Sequence, residues 1–143
     1  MSTQRDWRLG TDSLWLVVVL AAHTFLTALV PLPPNDYWWH LKLGELIAET
    51  GTIPTANMFA WTLPATTPFV YAAWLGELLL FLLHRWGGLE LLIFTRTLIV
   101  FVAFWLTGGE AKRRSGSWRV AALVLLPACA MSLNNLIVRP QMW

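Results

Sequence analysis

SLWLVVVLAAHTFLTALVPLPPNDYWWH, residues 13–40, decides the fold. Its first part carries no Asp, Glu, Lys or Arg, and at ~1.5 Å per residue a helix over residues 13–30 covers ~27 Å, close to the ~30 Å of bilayer hydrocarbon. Leu32 extends the run before Pro33-Pro34 ends any helix, because proline has no amide hydrogen to donate. The reading is a transmembrane helix over residues 13–32. Its second part, Asn35-Asp36-Tyr37-Trp38-Trp39-His40, sets three aromatics between an acid and an imidazole. Tyr and Trp favour the headgroup region, where the ring is in hydrocarbon and the OH or NH reaches water. Asp36 and His40 are therefore expected at a membrane surface.

Composition agrees with that start. Of 143 residues 57% are apolar and 13% charged, and Trp occurs 10 times, which predicts an all-α integral membrane protein. A net charge of +2 with scattered Lys and Arg lacks the basic stripe that nucleic acid requires. Cys129 is the single cysteine, so neither an intrachain disulfide nor a Cys metal cluster is available. Arg5 and Arg8 resemble a signal-peptide n-region, but the apolar run is long and no small-x-small cleavage site precedes Pro31, so an uncleaved anchor is expected. The location read from this is the inner (cytoplasmic) membrane, multi-pass.

Downstream, residues 33–70 form a long surface loop. Within it, Trp39, Leu43, Leu46 and Ile47 fall at helical spacing while Lys42, Glu45 and Glu49 share another face, which predicts an interfacial amphipathic helix over residues 36–50 stopped by Gly51. Pro54, Pro64 and Pro68 then argue for irregular chain. Residues 71–86 and 89–106 are two further apolar segments, and the Gly87-Gly88 turn between them is short enough to make a helical hairpin. Each carries one charge: Glu77 lies ~15 Å and Arg96 ~12 Å from the turn. An unpaired charge at mid-membrane costs ~3 kcal/mol or more, so a structural ion pair between Glu77 and Arg96 is expected. Residues 107–117 read as a basic loop. Residues 118–138 are a fourth span or a broken helix, given Pro127 and Asn134-Asn135. If the N-terminus is cytoplasmic and all four segments span, Lys112-Arg113-Arg114 falls outside, against the positive-inside tendency. Either residues 71–86 do not fully cross or the N-terminus is outside.

The candidate chemistry is sparse. Asp36 suits the N-terminal cap of the interfacial helix, and equally a catalytic carboxylate. His40 lies one turn later, at the i,i+4 spacing that would suit a base and its orienting partner or a local hydrogen bond. No acid or histidine cluster completes a metal site. His23, mid-helix, needs a hydrogen bond from a neighbouring helix, and is also a possible pigment or haem ligand. His84 beside Arg85 reads as interfacial. No cofactor is required by the sequence, and two mutually compensating intramembrane charges do not make a transport path.

Several motifs carry a resemblance. Asp36-x-Trp38-Trp39-His40-Leu41, Gly44-Glu45-x-Ile47, Gly51-Thr52-Ile53-Pro54, Phe59-Ala60-Trp61-Thr62, Trp74-Leu75-Gly76-Glu77, Gly87-Gly88 and Arg139-Pro140-Gln141 follow in order. From Pro33 onward the chain resembles the amino-terminal part of bacterial polytopic proteins related to the C-type membrane glycosyltransferases. That resemblance implies an extracytoplasmic aromatic loop, an acid at Asp36 acting as base or metal-associated carboxylate, and a sugar donor carried on a polyprenyl phosphate. Relatives usually show a second acid before the tryptophans, where this chain reads Pro33-Pro34-Asn35-Asp36. They also tend to carry Asp and Phe-Ser where this chain has Asn57-Met58-Phe59-Ala60. Such enzymes also need roughly twice as many spans. Two functions follow as expectations. One is a non-catalytic subunit docking through Trp-rich helices with other integral membrane subunits, for instance in a respiratory or photosynthetic complex. The other is the front part of a glycosyltransferase, with Asp36 and His40 catalytic.

Overall fold

The computed structural model describes residues 10–32 and 36–133 and is all-helical among them. Its four helices are α1 (Thr11–Leu29), α2 (Tyr37–Thr50), α3 (Trp74–Ser115) and α4 (Trp118–Ser132). The loop between α2 and α3 contains one isolated antiparallel bridge, Ala56 to Pro68. Pro33-Pro34, Asn35, Asn134-Asn135 and Arg139-Pro140 lie outside the described residues. By length and composition α1 and α3 could each cross a membrane; α4 is apolar but shorter.

The described residues divide into two compact units, one from 10–31 with 97–133 and the other from 32 and 36–96. In the first unit α1 buries Ser13, Leu16, Leu20, His23 and Thr27. That alternating spacing of three and four residues is the seam that keeps one side of a helix on its neighbour. α1 packs on α4, where Leu16 and Leu20 meet Leu125 and Cys129, with Phe101, Phe104 and Trp118 around them. Asp12 pairs with Arg119 at 2.7 Å and His23 bonds Ser132 at 3.3 Å. Both pairings ascend together, so α1 and α4 run parallel. The final stretch of α3 runs the other way: Gly108 lies against Leu16 and Leu125, and Phe104 packs edge-on to His23 with centroids 4.5 Å apart. Gly108 with Ala121 and Ala122 lets three helices approach closely.

α3 reaches well past residue 106, so most of the expected basic loop at residues 107–117 is helical. Glu110 explains it: Arg113 and Arg114 meet its carboxylate at 2.7 and 2.6 Å, at the spacings that pair side chains along a helix. Lys112 Nζ donates to the carbonyl of Gly116 and the Gly116 amide donates back to that of Lys112, ending the helix at the turn into α4.

In the second unit the Gly87-Gly88 turn appears inside α3 as two residues with non-helical dihedrals. Gly88, at φ 62° and ψ −155°, occupies a region essentially closed to residues with a Cβ. Leu80 and Leu92, on either side of that break, share one buried cluster with Tyr37. α2 starts within one residue of its predicted position, and Gly51 closes it in the left-handed conformation with its amide on Ile47 O.

Candidate functional site

The second unit assembles its polar groups where α2 meets the first part of α3. Tyr37, His40, Leu43, Gly44 and Ile47 form the buried face of α2, at the 3–4–3 periodicity of a helix laid on a surface. Gly44 makes the contact possible: a Cβ there would overlap the backbone carbonyl of Glu77 and crowd Phe81. With the helices so close, His40 Nδ1 reaches Glu77 Oε1 at 2.8 Å. Tyr37 OH likewise meets His84 Nδ1 at 2.9 Å.

Glu77 is 2% exposed and His40 5%. An isolated carboxylate there would pay a large desolvation penalty, and the imidazole offsets it. The bond joins one imidazole nitrogen to one carboxylate oxygen, and its direction is set by the imidazole tautomer. The second carboxylate oxygen, Oε2, is buried with no hydrogen bond among the described residues. Arg96, expected to answer Glu77, is also fully buried, and the Glu77 carboxylate lies 2.8 Å from the His40 imidazole, a charged pair only if that ring is protonated. Burial lifts the Tyr37 phenol to about 12, while the Glu45 carboxylate beside Lys42 holds that ammonium above its usual range.

Asp36 stands at the N-cap position of α2, exposed, with its side chain making no capping hydrogen bond. Its backbone carbonyl accepts from the His40 amide at 3.2 Å. The side-chain partnership that the i,i+4 spacing offered to Asp36 is taken by Glu77, from 37 residues further along the chain.

Trp39 stacks on His40, ring centroids 3.6 Å apart, and its other surroundings form a cavity of about 390 Å³ lined with Asn57, Phe59, Ala60, Phe69 and Tyr71. The polar atoms on that wall are engaged. Asn57 Nδ2 donates to the carbonyls of Ala60 and Leu63 at 2.7 and 3.0 Å, and its Oδ1 accepts from the Ala60 amide at 2.9 Å. Tyr71 OH accepts from the Met58 amide and donates to the Ala56 carbonyl. Asn57 and Gly44 stand in motifs quoted from the sequence, but the roles they play here were not assigned to them. Gly44 carried a signal, a glycine inside a helical period, which marks close packing; Asn57 had none, because its role is defined by carbonyls that only the folded loop brings together.

His23 belongs to the first unit. Ser132 Oγ lies 2.8 Å from the Cys129 carbonyl and 3.3 Å from His23 Nε2, the direction of the second bond depending on the imidazole tautomer. That nitrogen is thereby occupied, and Nδ1 is buried without a hydrogen bond among the described residues. No cluster of three or more His, Cys, Asp or Glu suited to a metal is present among the described residues.

The sequence matches no protein-family model, and no curated protein and no solved structure is similar to it.

Proposed function

We propose that this chain is an integral membrane subunit that works by packing, its apolar helix faces lying against lipid and against the helices of a larger membrane assembly. The exposed apolar surface of the first unit carries the reading. α1 turns Ser13, His23 and Thr27 inward while Trp15, Val18 and Phe25 stand 59%, 63% and 65% exposed. In water each such exposed side chain would forgo ~1.5–3 kcal/mol of burial; in hydrocarbon the arrangement is the favourable one, because it is polar groups that cannot face lipid.

Orientation follows from the same bundle. α1 and the end of α3 are antiparallel, so Lys112-Arg113-Arg114 lie at the end where α1 begins, and Arg5 and Arg8 precede α1 in sequence. The positive-inside tendency makes that end cytoplasmic. The chain leaves the bundle after α1 and re-enters it at the opposite, outer end. Residues 74–86, at ~1.5 Å each, cover only ~20 Å and need not cross, which removes the conflict that four full spans create.

Carbonate extraction at high pH tests the membrane part: the full chain is expected in the pellet, and release into the supernatant would overturn it. Docking is tested by a photocrosslinking residue replacing Trp105, which is 55% exposed. Adducts of discrete protein mass are expected, whereas lipid adducts alone would remove the docking role.

A second reading has one observation in its favour. His40, oriented by buried Glu77, is arranged as a base, as the front part of a membrane glycosyltransferase using a polyprenyl-phosphate sugar would need, with Asp36 as its carboxylate. Loss of sugar transfer in both Asp36→Asn and His40→Gln, with folding intact, would establish it; unchanged transfer in both would end it.

A further inference from the structure

We propose that the charged end of the first unit binds an anionic phospholipid, its phosphodiester held by Arg113, Arg114 and Arg119 and its acyl chains lying along the helices; this rests on the membrane reading above. The distribution of charge is the starting point. Among the described residues of this unit, every Asp, Glu, Lys and Arg lies at one end: Asp12 on α1, Glu110, Lys112, Arg113 and Arg114 on α3, and Arg119 on α4. Residues 13–31, 97–109 and 120–133 carry none. Four cations thus share one end with two carboxylates, which leaves it positive.

The carboxylates order these cations without exhausting them. Arg113 donates through Nε and Nη2 to the two oxygens of Glu110 at 2.7 Å, and Arg114 through Nε to Oε1 at 2.6 Å. Arg119 Nη2 meets Asp12 Oδ1 at 2.7 Å. A guanidinium has five N–H donors, so each arginine keeps some unspent among the described residues, and the Arg113 and Arg114 side chains are 72% and 77% exposed. Lys112 is committed to the Gly116 carbonyl and lies over the Trp118 ring, but its charge adds to the same field. Guanidinium groups held side by side with free N–H suit an anion that has several acceptor oxygens, as phosphate does. The occupant follows from what lies one turn inward. Trp15 on α1 is three residues from Asp12, Leu106 on α3 four from Glu110, and Leu123 on α4 four from Arg119; all three are exposed, at spacings that put side chains on one helix face. A ligand whose anion meets this end therefore finds apolar surface directly beside it on each helix. A soluble phosphate compound or a nucleic acid would leave that surface uncovered, whereas an anionic phospholipid matches both parts. Phosphatidylcholine has the same phosphate, but its own ammonium cancels the charge, so the site should discriminate by the net charge of the headgroup.

The experiment reconstitutes the full chain in phosphatidylcholine bilayers with a trace of spin-labelled phosphatidylglycerol or spin-labelled phosphatidylcholine. Electron spin resonance then reads the fraction of each label whose motion the protein restricts. The protein is expected to prefer phosphatidylglycerol about threefold or more at low salt. Arg113→Gln/Arg114→Gln should bring the two lipids near parity while the restricted phosphatidylcholine fraction stays unchanged, which reports an intact fold. Arg119→Gln leaves the Glu110 cluster in place and should lower the preference about twofold. Arg85→Gln, which removes a cation of the second unit, should leave it as it was. Parity in the wild type overturns the proposal alone. So does a preference that survives in both arginine variants, or one that Arg85→Gln abolishes equally, which would make it an effect of total charge. Displacement of the labelled lipid by millimolar soluble glycerophosphoglycerol also overturns it, because the acyl chains would then contribute nothing. Absence of a restricted component for either lipid would instead sink the membrane reading.

Discussion

Burying a carboxyl group to 2% exposure is costly unless a partner compensates it, and for Glu77 His40 supplies that hydrogen bond. Removing one member of such a buried pair leaves the other uncompensated, at a cost of ~3–5 kcal/mol. His40→Leu is therefore expected to destabilise the detergent-solubilised protein strongly. Glu77→Gln can still accept from Nδ1 and should cost nearer ~1 kcal/mol, the difference between a charged and a neutral hydrogen bond. Unfolding curves of the two variants check the order; equal losses would mean that the charge is irrelevant. Asn57→Ala leaves two carbonyls and an amide without their partner, worth ~1–3 kcal/mol, and should open residues 55–69 to protease before the helices unfold. Tyr37 adds a pH dependence. Its phenol titrates near 12 in the fold against ~10 unfolded, so its contribution to stability is complete below pH ~10 and disappears as pH climbs through about 12. The tyrosinate absorbance of wild type minus Tyr37→Phe should rise only near that upper value.

Among elements, the contact of α2 with α3 depends on an absence of side chain. A Cβ at Gly44 would meet main chain, which cannot rotate away, so Gly44→Ala must part the two helices. We expect a loss of ~1–3 kcal/mol, together with exposure of His40 to a histidine-modifying reagent. Gly108→Ala is the internal comparison. There the added methyl would meet the tips of Leu16 and Leu125, which can shift, so the penalty should be markedly smaller. Gly88→Ala acts through the backbone, forcing a residue with a Cβ into φ 62°, ψ −155° at the break in α3. It should cost ~1–3 kcal/mol without altering the first unit.

For the whole molecule, the bundle of α1, α4 and the end of α3 binds polarity, direction and charge into one arrangement. Ser13, His23 and Thr27 share its seam with Leu16, Leu20 and Leu125, apolar side chains cover its outside, and the basic end of α3 lies beside the start of α1. Reversing that charge pattern should show in topology before it shows in stability. On the proposal that the bundle spans a membrane, replacing Lys112, Arg113 and Arg114 together with Glu is expected to impair insertion, read as cysteine labelling from the wrong side, while the Asp12–Arg119 pair contributes only ~0–1 kcal/mol.

Much of this was legible from residue type and spacing. Apolar run length predicts α1, alternating apolar and charged positions predict α2 within one residue, and Gly87-Gly88 announces the break in α3, because these depend on local periodicity and on what single residues permit. Pairing was not legible. Chain proximity sets His40 against Asp36 at i,i+4, and no local rule brings it to Glu77, 37 residues on, which it reaches because Gly44 lets two helices touch. The parallel course of α1 and α4, and the use of Asn57 to close an uncharged loop, were equally beyond reach of the linear chain. Composition and periodicity report the medium a segment prefers; which buried polar groups satisfy one another depends on angstrom-scale approach between distant segments, and only tertiary packing sets that.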